Sequence, residues 1–182
     1  MNYIQLESKS VTLTAVFSAL YVVINVVQSL SVGNPTIYGP VQLRVADCLI
    51  ALAALFGWPV VGGVTLGCFI ANAYYFLGVP DVVFGPLANL FAATVVLCLR
   101  RHRLLACILG ALPIGAIVGS YLWLFFPPPD AFGALPAWAG MIISITVSSL
   151  IAVSLIGYSL LALLSRTAVL KSLKSMGLRV LE

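Results

Sequence analysis

The feature that most limits how this chain can fold is the absence of charge over long stretches. Charged residues are missing from residues 10–43, 48–80, 82–99, 104–129 and 131–165. A transmembrane helix needs about 20 consecutive apolar residues, so each stretch is long enough for a crossing. Only 8% of the residues are charged, against about 25% in a soluble domain. The sequence therefore excludes a water-soluble monomer and predicts an integral membrane protein.

Glycine and proline divide the two longest stretches, which gives about six spans. Gly33–Pro35 with Gly39–Pro40 interrupts the first stretch, and Gly57–Pro59 interrupts the second. The second span is short for a full crossing, and the last is long enough to tilt. We therefore predict an all-α fold, with residues 1–182 forming a single transmembrane domain, a bundle of six helices. The predicted spans are Val11–Leu30, Leu43–Phe56, Val60–Leu77, Val82–Leu99, Leu104–Phe126 and Leu135–Leu164.

The basic residues indicate how this bundle is oriented. Eight of the nine Lys and Arg residues fall on one side of the six predicted spans, which the positive-inside rule assigns to the cytoplasm. Both termini, residues 1–9 and 166–182, are then cytoplasmic tails of a multi-pass protein of the cell membrane. A net charge of +4 in two patches argues against a nucleic-acid partner. The first span is longer than the apolar core of a signal peptide, and cleavage is not expected.

Arg44 is the one basic residue on the other side, and Asp47 follows it by three residues. Both side chains then project from one helical face. A charge inside a membrane costs about 2.5–3.5 kcal/mol on insertion scales unless it is paired or faces a polar cavity. Two interpretations stay open: a pair that reaches the membrane surface at a helix end, or the wall of a pocket that binds a polar solute.

Other polar side chains lie at the same predicted depth. Asn72 lies in the third predicted span, and Asp81 and Asn89 are eight residues apart in the fourth. Asp81 is equally a candidate helix N-cap, whereas a buried amide such as Asn72 needs partners. With Arg44 and Asp47, these residues all fall in the outer half of the bundle. We therefore expect an outward-facing pocket for a small solute, and no polar path through the membrane.

The remaining residues with reactive side chains do not indicate a catalytic site. The four cysteines lie apart in apolar spans, which is typical of packing residues. The single histidine, His102, lies in a basic loop, and no hydrolase or metalloprotease motif occurs. We expect no enzyme activity, no metal and no cofactor. Trp123 and Trp138 are either residues of the membrane interface or rings that stack on a planar ligand.

Small residues spaced four apart allow helices to approach closely. Gly63, Gly67 and Ala71 form such a stripe in the third span, and Gly115 with Gly119 forms another in the fifth. Internal packing explains both stripes. A third pair, Ala15 and Ala19 in the first span, serves either internal packing or the docking of a partner helix.

Three runs in the first half of the chain resemble a known family. The runs VQLRVADCL at 41–49, GGVTLGCFIAN at 62–72 and DVVFGPLAN at 81–89 are similar to the QueT family, substrate-binding S components of energy-coupling factor (ECF) transporters. The chain departs from the family pattern at Asp47, where a glutamate is usual, and at Pro86 and Asn89.

The resemblance implies capture of a queuosine precursor, a 7-deazaguanine, for uptake driven by partner subunits. These partners are a transmembrane coupling protein, which docks on Ala15 and Ala19, and two ATPases; this chain itself has no phosphate-binding loop. Alternatives are an S component for a different vitamin or nucleobase, and a self-sufficient carrier. Gly- and Pro-rich residues 31–40 can then close as a lid. The expected substrate contacts are Asp47 or Asp81 on the N–H edge, Asn72, Asn89, Arg44, and a stacking ring from Trp123 or Tyr38.

Overall fold

The structure, a computed structural model, describes residues 3–32, 43–132, 134–175, 177–178 and 180–181. Within these residues the chain is helical and contains no strand. Short 3₁₀ turns, Arg100–His102 and Asp130–Phe132, lie in the connections on either side of α5. The helices are α1 (Tyr3–Val32), α2 (Val45–Phe56), α3 (Trp58–Tyr74), α4 (Val79–Cys98), α5 (Arg103–Leu122), α6 (Ala137–Leu164) and α7 (Thr167–Ser175).

Each of the six predicted spans coincides with one of α1–α6. Four of these helices are long and apolar enough to cross a membrane: α1 over Ser8–Ser31, α4, α5 together with the turn before it, and α6. α2 and α3 are apolar but shorter. α7 was not predicted, because its residues lie in segment 166–182, which we expected to be a cytoplasmic tail. The protein is thus a multi-pass, all-helical membrane protein.

α2 lies at the centre of the bundle. Every residue from Ala46 to Phe56 is buried, as expected of a helix that is apolar on all sides. It packs against α1, α3, α4 and the middle of α6. Its first eight residues, Val45–Leu52, form a 3₁₀-helix and only its last turn is α-helical. α2 therefore extends about 22 Å, less than the roughly 30 Å of a hydrocarbon core.

The glycine stripes lie at the closest helix contacts, which confirms the packing prediction. A Cβ at Gly63 would lie 2.5 Å from the Phe17 Cβ of α1, and one at Gly67 would lie 2.7 Å from the Tyr21 Cβ. Between α5 and α6, a Cβ at Gly119 would lie 2.5 Å from the Ile142 Cα. These distances are shorter than van der Waals contact, so only glycine permits the observed separations.

Ala15 and Ala19 of α1 are both exposed on the outside of the bundle. They therefore do not take part in the packing of the described helices, and the internal-packing interpretation of this pair is wrong. Neighbouring apolar side chains on the same helix, such as Val16 and Val23, are also about half exposed.

α6 changes its winding in the middle. Residues Leu150–Gly157 form a π-helix between two α-helical parts. Near the end of this segment, a Cβ at Gly157 would lie 2.8 Å from the Cys48 carbonyl oxygen of α2. Extended π-helix is rare, and π-bulges are frequent at functional sites. Here the π segment packs directly against the helix that carries Asp47.

A single residue connects α2 to α3. Gly57 has φ 74° and ψ −142°, a conformation that residues with a Cβ rarely adopt. Pro59 follows in the first turn of α3, where a missing N–H costs no helical hydrogen bond. This sharp turn lies at the same end of the bundle as Lys9 and Arg100, which places the polar start of α2 some 22 Å away.

Candidate binding site

Five polar residues predicted from the sequence are buried together. The exposed fraction of the residue is 7% for Arg44, 4% for Asp47, 1% for Asn72, 0% for Asp81 and 2% for Asn89. They come from the start of α2, the end of α3 and the first half of α4. Burial without hydrogen-bond partners would cost each of them several kcal/mol, so their contacts decide how the site is built.

Asp47 belongs to a three-residue network at the start of α2. The Tyr21 hydroxyl of α1 donates a hydrogen bond of 2.7 Å to Asp47 Oδ1. The Asn89 amide of α4 donates to the Tyr21 oxygen at 2.9 Å and lies 3.5 Å from the same Asp47 oxygen. Tyr21 is completely buried. This network holds α1, α2 and α4 in register around one carboxylate.

Asp81 belongs to a second network. The Tyr121 hydroxyl of α5 donates a 2.9 Å hydrogen bond to Asp81 Oδ1, and Arg44 Nη2 lies 3.7 Å from the same oxygen. Arg44 Nη1 also lies 3.7 Å from the Cys68 sulfur. Gly78 occupies the N-cap position of α4, and no side chain caps the helix. The N-cap interpretation of Asp81 is therefore wrong: its carboxylate faces the bundle interior.

Asn72 joins α3 to the first turn of α4. Its Nδ2 donates a 2.8 Å hydrogen bond to the Asp81 carbonyl oxygen. A Cβ at Gly85 would overlap this amide nitrogen, so glycine at 85 gives Asn72 its place. Among the described residues, Asn72 Oδ1 and Asp81 Oδ2 are buried acceptors without a hydrogen-bond partner. These two acceptors are thus unsatisfied inside the bundle, although neither residue lines the cavity described below.

A polar face of α1 supports the start of α2. The Gln28 amide donates a 2.5 Å hydrogen bond to the Leu43 carbonyl oxygen, and its oxygen accepts one of 3.0 Å from the Val45 N–H. The Asn25 amide donates to the Tyr21 carbonyl oxygen at 2.9 Å. Gln28 therefore satisfies backbone groups that the end of a buried helix leaves unpaired. This contact fixes the position of Arg44 and Asp47.

The cluster encloses a cavity of about 10 Å³. Arg44, Asp47 and Asn89 supply its polar wall, and Ser149 adds a hydroxyl from the last residue before the π segment of α6. Its apolar lining residues include Ile114, Val118 and Ile145 of α5 and α6. The volume is that of about one water molecule. The site is therefore closed around its own polar groups.

Neither of the two predicted tryptophans is part of this cluster. Trp123 is 39% exposed, and its indole N–H donates to the Ser120 carbonyl oxygen at 2.8 Å. Trp138 is 54% exposed. Tyr38, and the proposed lid 31–40 from residue 33 onward, lie outside the described residues.

Three residues at the cluster were missed: Tyr21, Tyr121 and Ser149. Tyr21, Asn25 and Gln28 have the spacing i, i+4, i+7 of one helix face. Tyr21 also lies near the middle of Ser8–Ser31, where an interfacial tyrosine is not expected. Those two signals identify Tyr21. Tyr121 lies near the end of α5, and Ser149 is one of several serines in α6, so neither carries a comparable signal.

The cluster can bind a polar solute by hydrogen bonding and charge. Two aspartates and one arginine give it one formal negative charge. Carboxylates accept paired N–H groups with strict geometry, and such charge-assisted bonds are about twice as strong as neutral ones. Within the described residues, no group of three His, Cys, Asp or Glu side chains is placed to hold a metal ion.

Comparison with known proteins gives one match. The family model described as the QueT transporter matches residues 11–166, a range that contains the whole polar cluster. Neither a curated protein nor a solved structure matches the chain.

Proposed function

Since this chain belongs to the QueT transporter family, we propose that it is the substrate-capturing S component of an ECF importer and binds a 7-deazaguanine precursor of queuosine. The observation that carries this proposal is the buried cluster of Arg44, Asp47, Asn72, Asp81 and Asn89. Such groups are rare inside a membrane protein unless they bind something. We assign the protein no catalytic role.

The proposal includes six membrane crossings with both termini in the cytoplasm. α2 and α3 are shorter than the four candidate spans, but α2 is shielded from lipid on all sides by neighbouring helices. α2 is about 22 Å long, and its Gly57 end lies at the same end of the bundle as Arg100. With Arg100 at the cytoplasmic surface, Arg44 and Asp47 then lie below the outer surface of the membrane. The site is then a pocket that opens outward.

We assign the substrate-contacting role to the polar residues that line the cavity. Asp47 accepts the adjacent N–H groups on the pyrimidine edge of the base, and Asn89 and Ser149 donate to or accept from its remaining polar atoms. Arg44, held by Asp81, donates to the carbonyl of the base. The formal negative charge of the cluster favours a solute with a cationic aminomethyl group over a neutral one.

Substrate binding requires the cavity to widen, because about 10 Å³ does not hold a fused heterocycle. The branched side chains Ile114, Val118 and Ile145 form the wall opposite the polar residues. We propose that α5 and α6 separate from α2 and α4, and that these apolar side chains then contact the flat face of the base. Stacking on Trp123 or Tyr38 stays a prediction.

The substrate is tested by titrating the purified protein with 7-aminomethyl-7-deazaguanine, 7-cyano-7-deazaguanine, guanine and thiamine, and measuring binding heats. We expect the aminomethyl compound to bind most tightly, because it alone of the three guanine-like bases carries a cation, which the formal negative charge of the cluster attracts. Tight thiamine binding without deazaguanine binding would instead identify an S component for another compound. Concentrative uptake by liposomes that contain this chain alone would identify a self-sufficient carrier.

We further propose that the coupling protein docks on the exposed face of α1 at Ala15 and Ala19. Two small exposed residues one turn apart allow a partner helix to approach the backbone closely. Replacing Ala15 with Trp is expected to abolish co-purification of the coupling protein, because the indole prevents this approach. Substrate binding should be unchanged, since Ala15 points away from the cluster.

Ala162→Trp is the matched control, because Ala162 is an exposed alanine of α6 and α6 has no extensive contact with α1. This variant should retain the coupling protein. Loss of the partner in both variants, or in neither, would contradict docking at Ala15.

A further inference from the structure

A second, larger cavity lies at the end of the bundle opposite the polar cluster. It has a volume of about 820 Å³ and is lined by the start of α1, the Gly57 turn, the end of α4 with the turn after it, and by Gly177, Leu178 and Leu181. It lies beyond the C-terminal end of α2, whose other end carries Asp47. This cavity takes no part in the proposed binding of a deazaguanine.

The charge of this cavity is positive. Lys9, Arg100 and Arg101 line it, and no carboxylate does so among the described residues. Lys9 Nζ donates a 3.2 Å hydrogen bond to the Gly177 carbonyl oxygen. Arg100 and Arg101 form no ion pair within the described part of the chain. Three cations that share one cavity, with no carboxylate in its described lining, repel each other and attract an anion.

Most of the remaining lining is apolar. Leu13, Phe56 and Leu97 contribute to its walls, and Trp58 at its edge is 66% exposed, as is typical of tryptophan at a membrane interface. A free phosphate would gain nothing from this apolar surface. A lipid places a phosphate at the depth of the basic residues and its acyl chains along the apolar helices.

The wall formed by the C-terminal segment is held in place by the bundle. Leu181 N–H donates a 2.8 Å hydrogen bond to the Leu55 carbonyl oxygen, and the Lys9–Gly177 hydrogen bond links the same segment to α1. The cavity is therefore a built feature of the bundle end, bounded on one side by residues that follow α7.

We propose that this cavity binds the anionic headgroup of a membrane phospholipid such as phosphatidylglycerol, with its phosphate between Lys9, Arg100 and Arg101. The lipid's glycerol and upper acyl chains lie against Leu13 and Leu97. A bound lipid thereby joins α1 to the turn that follows α4 through the charges of Lys9, Arg100 and Arg101. This binding is independent of solute capture, because the two cavities lie at opposite ends of α2.

The test is native mass spectrometry of the full chain after incubation in detergent with equal amounts of phosphatidylglycerol and phosphatidylcholine. We expect the protein to retain phosphatidylglycerol preferentially. The double variant R100Q/R101Q should lower this preference by roughly 30-fold, since each basic residue near an anionic lipid contributes about 1 kcal/mol. A second variant, Leu13→Trp, should lower retention by filling the cavity without changing its charge.

Arg103→Gln is the matched control, because Arg103 follows Arg101 closely but does not line the cavity. Equal losses in R103Q and R100Q/R101Q would show a general charge effect and overturn the proposal. So would thermal stabilisation by inorganic phosphate equal to that by phosphatidylglycerol. If R100Q/R101Q retains the lipid as before but no longer co-purifies with the coupling protein, the cavity is a protein-docking surface instead. Solute binding, expected to be unchanged, shows that each variant is folded.

Discussion

Replacing Asp47 with Asn is expected to weaken substrate binding by about 10- to 100-fold. The change removes one negative charge and one acceptor oxygen but keeps the size of the side chain. Hydrogen bonds to a charged group contribute about 1.5–3 kcal/mol, which corresponds to that range of affinity. The asparagine oxygen still accepts the Tyr21 hydroxyl, which donates to Asp47 Oδ1 at 2.7 Å, so the fold should persist. Calorimetric titration with the aminomethyl deazaguanine measures the effect.

Asp130→Asn supplies the matched control. Asp130 is an exposed carboxylate in a short 3₁₀ turn, so the same substitution there should leave the affinity unchanged. An unaltered affinity in Asp47→Asn would remove Asp47 from the substrate site, and equal weakening in both variants would show only an effect of net charge.

Replacing Gly63 with Ala is expected to lower the free energy of unfolding by about 3 kcal/mol, the upper end of what overpacking an interior costs. The added Cβ would lie 2.5 Å from the Phe17 Cβ and 2.9 Å from the Thr14 carbonyl oxygen. The second contact is with backbone, so α1 and α3 must separate. That separation also moves Tyr21, one turn further along the same contact. Thermal unfolding in detergent, followed by the circular dichroism of the helices, measures the change.

The neighbouring Gly62 provides an unusually close control. A Cβ there would lie 3.4 Å from the Thr14 Cγ2, a tight but tolerable contact, and alanine has a higher helix propensity than glycine by up to about 1 kcal/mol. Gly62→Ala should therefore leave the unfolding temperature unchanged or raise it. Equal destabilisation by both substitutions would show that the close α1–α3 contact at Gly63 does not decide the outcome.

Much of this architecture can be predicted from the sequence, because a membrane interior tolerates few polar groups. Arg44, Asp47, Asn72, Asp81 and Asn89 stand out for that reason alone, and they are the residues that the fold brings together. The positions of α1–α6 follow from the charge-free stretches and their glycine and proline breaks. The glycine stripes identify helix contacts because only hydrogen fits between backbones so close together.

Other features depend on partners that are distant along the chain. Arg44 lies three residues from Asp47, yet it forms an ion pair with Asp81, 37 positions away, because the tertiary fold and not helical spacing decides the pairing. The Tyr121 hydroxyl donates a hydrogen bond to Asp81 from another helix, and nothing in the sequence indicates this contact. The π-helical winding of Leu150–Gly157 is likewise invisible, since its residues are ordinary apolar ones.

The narrowness of the space beside Asp47 has a kinetic consequence. A base cannot reach the carboxylate until α5 and α6 move, and helix motions of this kind take microseconds to milliseconds. Association should therefore level off at high solute concentration at the rate of opening, well below the rate of diffusional encounter.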